Sequence, residues 1–524
     1  GIDSVMRNHF LLAAVNAKYI HTCLGAYDLA AFASAHGQEL EIEEFTINEK
    51  EEEILGRIAE KAPDGIFFSC YIWNISLIER MLPKIHERLP KASIYLGGPE
   101  VSFDPEERLK KFPFLSGVIA GEGEAVMTKL LAGWPAREAM GRILRADALL
   151  PLDMVPFPYE EAFLREAGKR GKILYYETSR GCPFSCSYCL SSRKEPVRLR
   201  SMDLVRRELR LFLDAKVPQV KFTDRTFNCS HEHAYSIWKF IHENDNGTTN
   251  FHFEIGADLL REEELELLSK MRRGLVQFEI GVQSTNAETL ASVSRTVDME
   301  HLRQAVLKIH EAGRIHQHLD LIAGLPYEDY ASFGRSFNDV WEMKPDQLQL
   351  GFLKVLKGTE MERLSGKFGI VYDSAAPYEV IRTPWLSEAE RERLERIARI
   401  TDIYHNSAQY TQTLPYLLSR VENPFAFFEA LALYYEKNGC PSVTDSRITR
   451  YEILRDFALS PMFPGTGSGE PVRREELIER LSVDLYLREK LKHRPDWVQD
   501  LSGRYEFDYG RRDVFTNNAE VRKK

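Results

Sequence analysis

From Phe10 to about Leu131, short apolar runs alternate with amphipathic stretches, and this rhythm constrains the fold of the 524-residue chain more than any other feature. FLLAAVN reads as a strand, and CLGAYDLAAFASAHG then places apolar residues at helical spacing and stops on Gly37. ELEIEEFTI alternates, DGIFFSC is a further strand, SLIERMLPKIHERLP is helical, and ASIYLGG and GVIAGEGE are two more strands. Strands separated by helices at this spacing predict a doubly wound, Rossmann-like parallel sheet. Ligands on such sheets bind beyond the carboxyl ends of the strands. Those ends carry Asn16 to His21, then Tyr71, Trp73 and Asn74, then Gly97, Gly98, Pro99 and Glu100, then Gly121, Glu122, Gly123 and Glu124. They are polar, aromatic or glycine-rich, as a cofactor crevice requires.

A linker with three prolines, Pro151, Pro156 and Pro158, separates a second series. Its strands are KILYYETS, QVKFTDRTF, NFHFEIGAD, VQFEIGVQS, HLDLIAGLP and QLQLGFLKV, with helical segments such as SMDLVRRELRLFLDA between them. Six strand–helix units fit an open, partial (β/α)6 barrel, whose functional residues gather at strand C-termini. After about Tyr372 the rhythm gives way to helical stretches such as ENPFAFFEALALYYEKNG and EELIERLSVDLYLREKL. The expected domains are therefore 1–150, 166–371 and a mostly helical 372–524, the last of which reads as irregular from Gly503 onward. Gly1 to Val5 read as an addition ahead of a start at Met6.

Net charge is −10, from 69 basic and 79 acidic residues, which argues against a broad nucleic-acid-binding face. Seven cysteines suggest no disulfide framework, so a reducing cytoplasm is expected. The opening carries no signal-peptide pattern, and no apolar run reaches the ~20 residues needed to span a bilayer. No membrane association is expected. Arg193, Lys194, Arg198, Arg200, Arg206, Arg207 and Arg210 form a basic cluster that reads first as a solvated helix face and second as an anion site.

Three cysteines fall on one short loop after the first barrel strand: Cys182-x3-Cys186-x2-Cys189. A [4Fe–4S] cluster uses four ligand positions, so three thiolates leave one iron open. The alternative is zinc with a distant partner, for which Cys229-x-His231-x-His233 is the nearest candidate.

With Tyr188 before the third cysteine, the loop resembles that of the radical S-adenosylmethionine superfamily. The resemblance implies that S-adenosylmethionine chelates the open iron and is cleaved to a 5′-deoxyadenosyl radical. It further implies that Glu254, Gln283, Ser284 and Arg295 lie near the polar groups of S-adenosylmethionine, and that Ile322 to Pro326, with Gly324, lies along its adenine. The usual glycine–glycine–glutamate motif after the second strand is replaced by Thr223 to Asn228.

An α/β domain ahead of such a barrel resembles the cobalamin-binding class of that superfamily. Cobalamin carriers that ligate cobalt through histidine use Asp-x-His-x-x-Gly, whereas this chain has Tyr19-Ile-His21 and then Gly25. The carboxylate that would orient a ligating His21 is missing, so cobalamin is expected with His21 off the cobalt and Tyr71 to Asn74 beside the corrin. A front domain that serves only as a scaffold is the alternative. The resemblance implies methyl transfer to an unreactive carbon of a substrate that is a small molecule, a peptide or an RNA. An electron donor such as flavodoxin or ferredoxin and a monomeric state are also implied. Radical rearrangement, cyclisation or oxidation is the second reading, and a cobalamin sensor or electron carrier the third.

Overall fold

The computed structural model describes residues 7–190, 195–441, 443–444, 446–465 and 469–524. Of the basic cluster, Arg193 and Lys194 lie outside the described residues, as do Gly1 to Val5 and Met6. The chain divides into two compact units. One is Gly1–Glu254 with Val355–Arg363 and Asp373–Glu379, and the other is Ile255–Lys354 with Leu364–Tyr372 and Val380–Lys524.

The first unit opens with β1 (Phe10–Asn16), α1 (Leu24–Ala35), β2 (Glu41–Thr46), α2 (Glu51–Lys61), β3 (Gly65–Ser69) and α3 (Ile75–Arg88). β4 (Ser93–Gly97), α4 (Pro105–Lys111), β5 (Gly117–Ala120), α5 (Glu124–Ala132) and β6 (Ile143–Arg145) follow. The six parallel strands lie in the order β2-β1-β3-β4-β5-β6. Every residue of β1 is buried, in keeping with its continuous apolar run from Phe10 to Val15. Leu11, Ala13 and Val15 enter a core with Ile54, Ile58, Ile78 and Met81, whereas Phe10, Leu12 and Ala14 enter one with Ala26, Ala33, Met127 and Trp134 on the other face. This is the doubly wound sheet expected from sequence. Its order reverses between β1 and β3, which opens a crevice at their carboxyl ends.

The unit continues with α6 (Glu161–Lys169), β7 (Ile173–Tyr176) and a two-residue antiparallel pair, β8 (Ser179–Arg180) with β9 (Arg198–Leu199), that brackets the cysteine loop. α7 (Met202–Asp214), β10 (Gln219–Phe222), α8 (His231–Glu243) and β11 (Asn250–Ile255) come next, and β10 pairs in parallel with β7 and β11. The proline segment is pinned rather than loose: Leu152 and Val155 are buried, and Arg200 donates to the Leu152 carbonyl.

The second unit holds α9 (Glu262–Ser269), β12 (Val276–Gln283), α10 (Ala287–Ser292), α11 (Met299–Ala312), β13 (His316–Ala323), α12 (Tyr330–Trp341) and β14 (Gln347–Phe352). β12, β13 and β14 are consecutive parallel neighbours. α13 (Glu360–Phe368) is followed by the short pair β15 (Val371–Tyr372) and β16 (Val380–Arg382). Then come α14 (Glu388–Thr401), a π-helical turn at Asp402–Asn406, α15 (Thr413–Leu418), α16 (Pro424–Lys437), α17 (Arg447–Ala458) and α18 (Arg474–Arg488). Ser387 and Glu390 close a capping box at the start of α14. Tyr404, Tyr410 and Tyr416 are buried, so the aromatic residues of this module are core.

One expectation is corrected here. The stretch after Gly503 is not irregular, because β17 (Tyr505–Arg512) and β18 (Ala519–Lys523) form an antiparallel hairpin. Its apolar positions Tyr505 and Phe507 pack with Val483 and Leu487 of α18, and the charged residues of the two strands obscured that alternation.

Candidate functional site

The cysteine loop leaves β7 through Glu177 and Thr178. Thr178 is fully buried and binds Asp224 at the end of β10 twice, through its backbone N–H at 2.8 Å and through its hydroxyl. The Ser179 hydroxyl donates to the same carboxylate at 2.9 Å. His233 Nε2 lies 2.9 Å from the Thr178 hydroxyl oxygen, whose proton is spent on Asp224, so the imidazole donates. Burial holds the His233 pKa down, to about 4, and pushes Asp224 up, to about 6. Thr223-Asp224-Arg225, which stands where the glycine–glycine–glutamate motif was expected, therefore anchors the loop. His233 is turned to Thr178 rather than to a zinc site with Cys229.

Cys186 is buried, and Cys182 and Cys189 are partly exposed. Gly181 has φ +94°, and a Cβ there would come 3.0 Å from the Pro196 carbonyl oxygen. Cys182 Sγ sits 3.9 Å from the Thr226 hydroxyl, and the Ser187 carbonyl accepts from Met361 N–H at 2.7 Å. Three soft sulfur donors on a pinned loop suit an iron–sulfur cluster with one iron open.

The crevice at the head of the front sheet is a cavity of about 600 Å³, lined by His21, Cys23, Tyr71, Trp73, Gly97, Gly98, Gly121, Glu122, Gly123, Tyr175, Glu177 and Arg180 among others. Tyr71 and Trp73 stack with ring centres 4.3 Å apart and planes 6° apart, and Trp73 is 46% exposed. Gly98 has φ +99°, and a Cβ there would meet the Cys70 carbonyl oxygen at 2.7 Å. At Gly121 a Cβ would meet nothing within 4 Å, so the floor there is bare. A wide, glycine-floored, aromatic-edged crevice at a topological switch point fits a large flat cofactor.

Three residues named from sequence stand behind this wall. Asn74 is fully buried and donates to the Val15 and Ser69 carbonyls at 3.0 and 2.9 Å, tying β1 to β3. Pro99 opens a short turn, and Glu100, 4% exposed, accepts from the Tyr378 hydroxyl. His21 faces the cavity with Nδ1 2.6 Å from the Tyr175 hydroxyl. Burial, together with Lys221 and Lys18, lowers its pKa, so the ring is neutral near pH 7.

Sequence reasoning named Glu122, Glu124, Arg198 and Arg200 but missed Asp28, Glu177 and Arg180, and with them the charged set that joins crevice to loop. Arg180 contacts Glu177 at 2.9 Å, Glu122 at 3.4 Å and Asp28 at 3.8 Å, and also binds Glu124. Arg198 binds Glu122 and donates to the Leu150 carbonyl at 2.6 Å. Arg200, 6% exposed, is paired with Glu208, so the basic cluster is not one solvated face. Burial raises Glu177 to about 7, against the pull of Arg180, and raises Asp28. The signal was present as Glu177-x2-Arg180 ahead of the first cysteine, but the partners lie 56 and 58 residues upstream.

Glu254, in the first unit, is half-exposed and 3.5 Å from Arg225. In the second unit, β12 carries a bulge at Gly281–Gln283, and Gln283 has φ +71°. The Gln283 side-chain oxygen is buried with no hydrogen-bond partner among the described residues, as expected of a group that waits for a ligand. Arg295 donates to the Gly281 carbonyl. Ser284 is fully buried and its hydroxyl donates to Glu328 at 2.9 Å. Gly324 has φ +94°, and a Cβ there would strike Val380 at 2.8 Å.

Three family models match in series: a B12 binding domain over residues 11–131, the Radical SAM superfamily over 176–340, and a protein of unknown function, DUF4080, over 366–523. The chain belongs to the radical S-adenosylmethionine proteins that carry a cobalamin-binding domain. The cofactors of this family are a [4Fe–4S] cluster, S-adenosylmethionine and cobalamin, and the donor set, the orphaned Gln283 oxygen and the bare crevice floor fit them. The chain is similar to the cobalamin-dependent radical SAM methyltransferase TokK of Streptomyces tokunonensis, with 26% identity over 304 residues, covering 52% of this chain and 44% of TokK. It thus spans less than half the length of that relative. Among solved structures, OxsB, a cobalamin-dependent S-adenosylmethionine radical enzyme, covers 90% of this chain and 78% of its own at a TM-score of 0.62 and 16% identity. TsrM, a radical S-adenosylmethionine methyltransferase from Kitasatospora setae, covers 71% of this chain and 76% of its own at 0.58 and 16% identity. These two likenesses establish the fold.

Among the described residues no helix is long and apolar enough to cross a membrane.

Proposed function

We propose that this chain is an enzyme that transfers a methyl group to an unactivated carbon of its substrate. The observation that carries this reading lies within the first unit: Arg180, two residues before Cys182, is held by carboxylates that line the switch-point cavity. A cluster loop and a cobalamin crevice that share one charged wall suit a reaction that uses both cofactors on one substrate. When bound, S-adenosylmethionine with the cluster would supply a hydrogen-abstracting radical and cobalamin would supply the methyl group.

The chain's own residues bind and orient. Cys182, Cys186 and Cys189 hold the cluster, with Tyr188 beside them. By the resemblance, Glu254 in the first unit and Gln283, Ser284, Arg295 and Gly324 in the second would each serve S-adenosylmethionine, Ser284 from behind through its strand end. Tyr71, Trp73, Gly97, Gly98, Gly121, Glu122 and Gly123 form the cobalamin side, and Asn74, Pro99 and Glu100 brace it. His21, neutral and hydrogen-bonded to Tyr175, would not serve as a cobalt ligand. The functional domains are 1–150, 166–371 and 372–524, in a cytoplasmic monomer served by a flavodoxin- or ferredoxin-type electron donor.

The test is anaerobic incubation of reconstituted, reduced protein with a small-molecule extract and S-adenosylmethionine bearing a trideuterated methyl group. A metabolite that gains the labelled methyl group supports the proposal. A substrate that is consumed to a product without the label supports rearrangement, cyclisation or oxidation instead.

A further inference from the structure

Within the second unit, β12, β13 and β14 turn Phe278, Ile280, Leu319, Leu321, Leu348 and Leu350 into an apolar core. The opposite face of these parallel strands carries Glu279, His318, Asp320 and Gln349. Parallel sheets are ordinarily apolar on both faces, so a polar face lowers stability and calls for a function. Glu279 is the register partner of His318, and Asp320 is the partner of both Gly281 and Gln349, so the four side chains converge at mid-strand. Gly281, the register partner of Asp320, has no side chain of its own, and the Gln283 amide folds back over it.

His318 Nε2 lies 2.9 Å from Gln349 Oε1 and 3.0 Å from Asp320 Oδ1. One ring nitrogen carries at most one proton and cannot serve two acceptors fully. The Asp320 Oδ1 atom is buried, and among the described residues its ion pair with His318 is supplemented by no further hydrogen bond. Donor atoms of Glu279, His318 and Asp320 all fall within 4.8 Å of one another. Adjacent donors about a six-coordinate cation with ~2.1 Å bonds are about 3.0 Å apart, which the two short separations match.

We propose that Glu279, His318, Asp320 and Gln349 form a divalent-cation site. One imidazole, two carboxylates and an amide oxygen suit a borderline first-row cation such as Mn²⁺, Fe²⁺ or Zn²⁺ rather than a thiolate-seeking one. Four protein donors leave positions open for two oxygens of a ligand, so the cation would anchor a chelating substrate, for example an α-hydroxy or α-keto acid. That role, though not the site, rests on the methyl-transfer reading.

The experiment uses holoenzyme with an oxidised cluster and cobalt(III) cobalamin, both silent in electron paramagnetic resonance, freed of adventitious metal and titrated with Mn²⁺. The expected result is one Mn²⁺ per chain, displaced by Zn²⁺. Affinity should fall by at least about tenfold in both His318→Ala and Glu279→Gln, the size of effect that ligand-set changes produce. Iron and cobalamin content measured on each variant show that it has folded, and Glu279→Gln keeps the shape of the side chain. Wild-type protein that binds no Mn²⁺ up to about 1 mM, a free energy near −4.1 kcal/mol, overturns the site. So does unchanged affinity in the folded variants. Either failure leaves the labelled-methyl test untouched, and a failed methyl test leaves the Mn²⁺ result standing.

Discussion

The guanidinium of Arg180 is bound to the carboxylate of Glu124, the first residue of α5 in the front domain, although 56 residues separate them. Arg180 also carries β8 into the three-cysteine loop, so one side chain ties the cavity wall to that loop. Its side chain is 14% exposed and that of Glu124 is 7% exposed. Removing one partner of a buried pair leaves an uncompensated charge, at a cost of roughly 3–5 kcal/mol. Arg180→Met should therefore lower the denaturation midpoint and reduce cobalamin retention together, measured by chemical unfolding and by bound cobalamin. Arg180→Lys should recover only part of both, because lysine lacks the planar fork that reaches several carboxylates at once.

Glu177 gives a pH dependence with a defined sign. Burial raises its folded-state pKa to about 7, above the ordinary value of 4.5. The protonated form is favoured in the folded state, so its stabilising contribution is complete below about pH 4.5 and is lost as pH rises through about 7. Glu177→Gln imitates the protonated form and should flatten that loss. Melting temperatures of the two proteins compared at pH 5.5 and pH 8 check it, and parallel profiles would show that Glu177 does not titrate in this window.

Strands β1 and β3 were legible because parallel strands buried on both faces carry continuous apolar runs, here Phe10 to Val15 and Ile66 to Phe68. The cysteine loop was legible because its chemistry is local. What sequence hid depends on distance along the chain. The Arg180–Glu124 pair and the Thr178–Asp224–His233 chain join residues that only the sheet topology brings together. The β17–β18 hairpin was hidden because charges at most of its positions mask the partly buried Tyr505 and Phe507. Asn74 and Glu100 sit at strand ends as expected, yet point into backbone and into Tyr378, because side-chain direction there follows local turns that pattern does not reveal.

Gly98 tests the crevice. With φ +99° and backbone 2.7 Å from the position of a Cβ, alanine there is strained and displaces the Cys70 turn. Gly98→Ala should cost about 1–3 kcal/mol and weaken cobalamin binding. Gly121→Ala, at φ +81°, carries the left-handed backbone strain but no clash and should cost less stability, while its methyl group intrudes on the crevice floor. Cobalamin affinity measured beside unfolding free energy separates the two effects, and equal behaviour of the two variants would remove the distinction drawn between them.

Arg295 tests the S-adenosylmethionine side. Its bond to the Gly281 carbonyl fixes the fork at the β12 bulge. Charge-assisted bonds of this type are worth roughly 1.5–3 kcal/mol, so Arg295→Lys should weaken S-adenosylmethionine binding about tenfold to a hundredfold. Iron content should not change. An unaltered dissociation constant would make Arg295 a brace for the bulge and no more.

The central claim is that the three-cysteine loop performs radical chemistry on S-adenosylmethionine. The most direct measurement is 5′-deoxyadenosine released by anaerobically reconstituted protein after reduction, compared with a Cys182→Ala/Cys186→Ala/Cys189→Ala variant. The account predicts about four irons per chain and 5′-deoxyadenosine from the wild type, and almost none of either from the variant. A variant that retained the cluster, or a fully loaded wild type that bound S-adenosylmethionine and released no 5′-deoxyadenosine on reduction, would contradict it.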